Sequence, residues 1–98
     1  MIIRSHRNFK KQFDKLTKSQ KEKFKERSNI FLQDEFHPIL NNHALKGEYE
    51  GCRSINVGGD LRAIFRKNSE GILFIAIGSH SSLYGWGLSA ILKICGLN

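Results

Sequence analysis

At 98 residues, 40% apolar and 26% charged, the chain has the length and composition of one globular domain around one core. No apolar run approaches the roughly 18 residues that a bilayer span requires, and the start Met1-Ile2-Ile3-Arg4-Ser5-His6-Arg7 turns polar too early for a secretory signal. A cytoplasmic protein with no membrane partner is therefore expected. The net charge of +7 is unevenly spread: residues 1–33 hold ten Lys/Arg against three Asp/Glu, and residues 34–98 hold six of each. Charge concentrated in this way points to a polyanion, of which nucleic acid is the commonest.

Two cysteines, Cys52 and Cys95, are too few for a disulfide framework. They are expected to pack as small apolar groups. Without CxxC or HxxxH spacing the sequence carries no zinc signature, and no cofactor is expected.

In chain order, residues 1–5 read as a short strand leading into a helix with Phe9, Phe13 and Leu16 at i, i+4 and i+7. Thr17-Lys18-Ser19-Gln20 and Ser19-Gln20-Lys21-Glu22 both have capping-box spacing, so a second helix starts there. Phe24, Phe31 and Leu32 give that helix an apolar side and lysines cover the other. Pro38 stops it, and His37 ahead of the proline is biased towards extended geometry. From residue 52 onward the period is two. Residues 52–57, 61–67 and 72–79 read as strands, joined by turns at Gly58-Gly59 and around Asn68-Ser69-Glu70-Gly71. Such short connections make an antiparallel meander. The expected architecture is α+β: two N-terminal antiparallel helices on one face of a small, mainly antiparallel twisted sheet, leaving the other face as a groove. In the tail, Leu88, Ile91, Leu92 and Cys95 have the spacing of a short C-terminal amphipathic helix that covers a sheet edge or a second chain.

Strand parity then sorts the side chains. Leu73, Ile75 and Ile77 share one face, assigned to the helices, while Ala76, Gly78 and His80 share the other. In the preceding strand Leu61, Ala63 and Phe65 point one way and Asp60, Arg62 and Arg66 the other. An aspartate, an arginine and a histidine thus converge on the open face, over a floor kept low by alanine and glycine. By the same parity Arg53 lies opposite Asn56 and reads as a packing residue, and His6 and His37 read as surface residues.

Three segments together carry a family resemblance. Residues 42–53, Asn-His-Ala-Leu-Lys-Gly-Glu-Tyr-Glu-Gly-Cys-Arg, resemble the H-x-L-x-G-x-(aromatic)-x-G-x-R segment of YafQ-like toxins. Residues 59–66, Gly-Asp-Leu-Arg-Ala-Ile-Phe-Arg, are similar to the D-x-x-x-I-(aromatic)-R strand of those toxins, and residues 77–84, Ile-Gly-Ser-His-Ser-Ser-Leu-Tyr, resemble their G-S-H-x-x-L-(aromatic) terminus. All three occur in order, below a lysine-rich helical hairpin, so the chain resembles the YafQ branch of the RelE/ParE toxins over residues 1 to about 85. Residues 86–98 then extend beyond the usual end of a single toxin domain spanning 1–98.

The resemblance implies a RelE-like fold, ribosome-dependent endonucleolytic cleavage of mRNA, and neutralisation by a cognate antitoxin. Residue by residue, His43, Asp60, His80 and Tyr84 fall on positions that serve catalysis in the family, and Arg62 resembles an arginine that RelE-type enzymes place on the scissile phosphate. Where the family usually has a second histidine before the Gly-Asp turn, this chain has Asn56. An asparagine can hydrogen-bond a phosphate but cannot move a proton.

Metal-free RNA cleavage needs a base for the 2′-hydroxyl, an acid for the leaving 5′-oxygen and cations for the phosphorane. Histidine can do either proton job near neutrality. The expected roles are acid for His80, base for Asp60 or His43, and nucleotide stacking or orientation for Tyr84. Lys46, Arg62, Arg66 and Asn56 would bind phosphate, since a guanidinium matches two phosphate oxygens at once. Lys18, Lys21 and Lys25 of the hairpin would hold ribosomal RNA. The alternatives are a ParE-like DNA gyrase inhibitor, which needs no acid–base groups, and a catalytically weakened RNA-binding relative. Trp86 reads as a core residue.

Overall fold

In a computed structural model, residues 2–45 and 50–79 are described. The first strand, β1 (Ile2–Ser5), runs into α1 (Arg7–Asp14), where His6 is the N-cap and its Nδ1 accepts the Asn8 N–H at 3.0 Å. This histidine does a helix-starting job that hydrophobic patterning does not reveal. The second helix, α2 (Lys18–Gln33), begins at the Thr17 box. Thr17 Oγ1 accepts from Gln20 N at 3.1 Å, and Gln20 Oε1 accepts from Thr17 N at 3.0 Å. Two otherwise orphaned donors are satisfied reciprocally there. The competing box at Ser19–Glu22 lies inside the helix and is not used. The helix stops at Asp34, four residues before Pro38, which opens a 3-10 turn at Pro38–Leu40. His37 caps that turn, its Nδ1 accepting from Ile39 N at 3.1 Å.

The remaining strands are β2 (His43–Ala44), β3 (Arg53–Gly58), β4 (Leu61–Lys67) and β5 (Gly71–Ser79). They form one five-stranded sheet in the order β1-β5-β4-β3-β2, with β1 parallel to β5 and every other pair antiparallel. The expected α+β architecture is present. Two residues of the Asn41–Ala44 segment add an edge strand that no two-residue pattern could announce.

Both helices lie on one face, α1 against β5 and α2 against β3. Phe9 and Phe31 enter a core with Ile55, Val57, Ala63, Phe65, Ile72, Phe74 and Ile77, all nearly inaccessible to solvent. Phe74 is the hub. Its ring centroid lies 5.5 Å from Phe9, 5.3 Å from Phe24, 6.1 Å from Phe31 and 5.9 Å from Phe65. Edge-to-face and tilted pairs at such separations contribute beyond their buried area. Phe13, Leu16, Phe24 and Ile30 complete the layer. Leu32 does not belong to it: the side chain is 55% exposed, because it falls on the outer side of the helix and Ile30 packs inward instead.

The parity expected for the last strand fails halfway along it. Ile64 pairs with Ala76 but Phe65 with Phe74, so Ile75 is an extra residue, a β-bulge. Ahead of the bulge Ile72 and Phe74 face the helices, and after it Ile77 does. Leu73 and Ile75, expected on the helix side, lie on the opposite face. There Cys52, Ile64, Ile75 and Ala76 form a second buried cluster with Leu45 and Leu73 packed against it. The centre of that face is thus a small apolar core and not an open groove. Cys52 is 1% exposed and disulfide-bonded, against the expectation of a packed thiol; its partner lies outside the described residues. The expected tail helix, with Trp86, also lies outside them. Among the described residues no helix is long and apolar enough to cross a membrane.

Candidate nucleic-acid site

The polar residues of interest ring the second cluster. Asn56 pairs with Arg62 and Arg62 with Gly78, making one row across β3, β4 and β5 on the face away from the helices. His43 pairs with Ser54, two residues before Asn56, and so begins the adjacent row on the same face. Directly opposite residues hold their Cβ atoms about 4.5–5.5 Å apart, and diagonal neighbours such as His43 and Asn56 roughly 7–8 Å. His43, Asn56 and Arg62 are therefore near neighbours at one end of the sheet. Arg66 shares their face but lies two rows further along, paired with Leu73.

His43 is exposed, and its Nδ1 lies 2.7 Å from the Asn41 carbonyl oxygen. A carbonyl only accepts, so Nδ1 carries a proton, and in the neutral ring Nε2 has the lone pair. That tautomer suits a general base. The left-handed backbone of Asn41 (φ 46°) turns the carbonyl towards the ring. Asn56 is half-buried, and its buried carboxamide oxygen has no hydrogen-bond partner among the described residues. An acceptor with nothing to accept suits a ribose hydroxyl, and the amide NH₂ suits a phosphate.

Asp60 is not where parity expected it. It lies in the Gly59-Asp60 turn outside the strand, exposed, and lines a cavity of about 750 Å³ between that turn, α1 and the end of β5. Lys11 and Lys15 of α1 stand on the other wall. The turn is braced from the sheet: Arg62 Nη1 donates to Gly59 O at 3.1 Å and to Leu61 O at 3.3 Å. Arg62 thus braces the backbone that carries Asp60 through Nη1, and its Nε and Nη2 make no hydrogen bond among the described residues. On the helix side, the aliphatic stem of Lys23 lies over Gly58, whose φ of +145° favours glycine. These contacts need a bulge between Asn56 and Gly58, which the Gly-Gly pair permits.

The family described as a bacterial toxin of type II toxin–antitoxin systems, YafQ, matches residues 1–85. The chain belongs to the YafQ family. The crystal structure of YafQ from E. coli strain BL21(DE3) is similar with a TM-score of 0.75 at 19% identity, over 86% of this chain and 98% of that one. The E. coli DinJ–YafQ toxin–antitoxin complex gives 0.72 at 20%, over 86% and 97%. The RelB–RelE antitoxin–toxin complex from Methanococcus jannaschii gives 0.68 at 17%, over 85% and 96%. At such identities the likeness is one of fold. None of the curated proteins matches the chain.

Of the YafQ-motif residues, the structure brings His43, Asn56 and Arg62 to one face and sets Asp60 around the corner, in the cavity facing α1. Lys46, His80 and Tyr84 lie outside the described residues. Lys18, Lys21 and Lys25 belong to α2, in the layer on the other side of the sheet from His43. Lys18 and Lys25 are exposed, whereas Lys21 is half-buried with its Nζ 5.8 Å from the Phe13 ring centroid. Arg53 does pack: its Nε donates to Asn42 Oδ1 at 2.8 Å, and its guanidinium lies 5.4 Å from the Phe36 ring centroid. This pairing ties β3 to the loop ahead of His43. Among the described residues no three His, Cys, Asp or Glu side chains cluster as metal ligands. The polar clamps of α1 on β5, Asn8 and Gln12, carry no motif signal at all.

Proposed function

We propose that the chain is the toxin of a type II toxin–antitoxin module, a single domain over residues 1–98 acting in the cytoplasm as a ribosome-dependent mRNA endoribonuclease. The observation that carries this reading is His43: its Nδ1 lies against a backbone carbonyl, which favours the neutral tautomer with Nε2 free, on the sheet face that bears Asn56 and Arg62. Membership of a toxin family of type II toxin–antitoxin systems supports this reading. His43 Nε2, or Asp60, takes the 2′-hydroxyl proton. The 2′-oxygen attacks the adjacent phosphorus, and the P–O5′ bond breaks as His80 protonates the leaving oxygen. A 2′,3′-cyclic phosphate and a 5′-hydroxyl result. Arg62, with Lys46 and Arg66, balances the charge of the phosphorane, and Tyr84 orients a nucleotide. Asn56 stands where a proton carrier would otherwise be, so it binds without transferring protons.

The cognate partner is an antitoxin, in line with the DinJ and RelB complexes of the similar structures. Ribosomal RNA is held by the basic hairpin, because the charge excess lies there and not in residues 34–98, which bear the proposed catalytic groups. Incubating the protein with translating ribosomes and mapping mRNA 5′ ends tests the reading directly. New ends that require both ribosome and toxin support it. Intact mRNA together with inhibited DNA gyrase would replace it with the gyrase reading.

A further inference from the structure

The parallel pairing of β1 with β5 ends at Ser5 and Phe74, where His6 N donates to Phe74 O at 2.8 Å. Beyond that point, at Ile75 to Ile77, no strand among the described residues lies beside this edge of β5. Unpaired edge groups in a buried setting must find partners. Here α1 provides them from one helical face: Asn8 Nδ2 donates to Ile75 O at 3.4 Å, and Gln12 Oε1, four residues on, accepts from Ile77 N at 2.9 Å. Ile77 is 1% exposed, so its N–H has no water to fall back on. The need arises where β1 ends, while the bulge at Ile75 belongs to the β4 ladder on the other edge of β5.

We propose that Gln12 is a positioning residue for the nuclease site: by holding the Ile77 amide it fixes the end of β5 against β4. The consequence reaches the chemistry through one residue. Gly78, next to Ile77, pairs with Arg62, and Arg62 braces the turn that carries Asp60. Gln12, Ile77, Gly78 and Asp60 also line the same cavity. Loosening Ile77 therefore displaces the row on which the phosphate would rest, without touching the hairpin lysines that hold the ribosome. The role rests on the ribonuclease reading above, and its structural half stands apart from it.

The test compares the parent with Gln12→Met and Gln12→Glu. Methionine keeps the length of the side chain and loses the acceptor, while glutamate keeps an acceptor oxygen for Ile77. Two quantities are measured on the full chain: exchange of the Ile77 amide by NMR, and single-turnover mRNA cleavage on ribosomes alongside ribosome affinity. In Gln12→Met the Ile77 amide is expected to exchange roughly ten- to a hundredfold faster. Cleavage at saturating ribosome should fall about tenfold or more, as misplacement of catalytic groups does, with ribosome affinity unchanged. Gln12→Glu should restore both. Unaltered Ile77 exchange in Gln12→Met would remove the contact itself, whether or not the parent cuts RNA. Faster exchange with parental cleavage would overturn the positioning role and leave the nuclease intact, and so would a Gln12→Glu variant as impaired as Gln12→Met. A parent that cuts no mRNA overturns the ribonuclease reading before any variant is compared.

Discussion

Replacing Gly58 by alanine should destabilise the protein, while replacing its neighbour Gly59 by asparagine should not. Gly58 closes β3 with φ +145°, a region that L side chains rarely adopt, and a Cβ there would lie 3.1 Å from Lys23 Cγ and 3.3 Å from Lys23 Cε. The lysine stem is flexible and can give by a few tenths of an ångström, so the backbone dominates the cost. Holding a non-glycine residue in such a region costs about 1–3 kcal/mol. The gain from a stiffer unfolded chain offsets about 0.4–1 kcal/mol of that. A net loss of about 1–2 kcal/mol is expected, which in a domain of this size lowers the Tm by roughly 4–16 °C. Gly59 has φ +54° and open space around its Cβ direction. Asparagine tolerates that left-handed geometry, so Gly59→Asn should stay within about 0.5 kcal/mol of the parent. Thermal melts and urea titrations followed by circular dichroism measure both, the midpoints moving with an unchanged slope. Equal melting of Gly58→Ala and parent, or equal losses in the two variants, would show that the turn is not held as described.

Asp60→Ala, His43→Ala and His80→Ala should each relieve growth arrest while the protein still folds, because lost proton transfer costs about 10²–10⁴ in rate; full toxicity of all three at equal protein level would end the acid–base assignment. Cleavage should survive when Mg²⁺ is exchanged for cobalt hexammine at a level that keeps ribosomes intact, and its disappearance would mean that a metal takes part. Changing Lys18, Lys21 and Lys25 together to glutamine should weaken ribosome binding and flatten the slope of log affinity against log salt by about two to three units, leaving the position of the cut unchanged. A slope that does not move would make those lysines a solvated surface only.

The helical hairpin could be read from the chain because its determinants are local. A capping box, a 3.6-residue apolar period and a proline each act within a few residues, and Thr17, Phe9, Phe13, Phe24 and Phe31 behave accordingly. The meander was legible for the same reason, since Gly58-Gly59 and the Asn68 turn sit between runs of period two. Leu73, Ile75 and Asp60 were misplaced by a rule that assumes unbroken pleating. A bulge between Phe74 and Ala76 moves two side chains across the sheet, and its cause is tertiary: Ile64 and Phe65 of the neighbouring strand set the register. The capping roles of His6 and His37 were hidden because histidine is an uncommon N-cap, and only the backbone turn shows what the ring accepts.

The same distinction explains why motif matching and geometry divide the site differently. A motif records which residues occur at which spacing, and by that measure His43, Asp60 and Arg62 stand equally as candidates. Geometry adds what each side chain is already doing. His43 gives its Nδ1 proton to a carbonyl and so has one nitrogen left for substrate. Arg62 spends Nη1 on the turn, and among the described residues the rest of its fork makes no hydrogen bond. Asp60 faces a cavity walled by Lys11 and Lys15, on the helix side of the turn. Of the two proposed bases, His43 therefore shares a face with Arg62, the arginine proposed to bind phosphate, and Asp60 reaches it only around the turn. This ranks His43 ahead of Asp60 as the group that takes the 2′-hydroxyl proton. It leaves Asp60 the work of orienting or charging a partner on the other side of the Gly-Gly hairpin. The prediction that separates them is the single-turnover rate of each alanine variant. Removing His43 should slow the step more than removing Asp60 does. The reverse pattern would return the base role to Asp60.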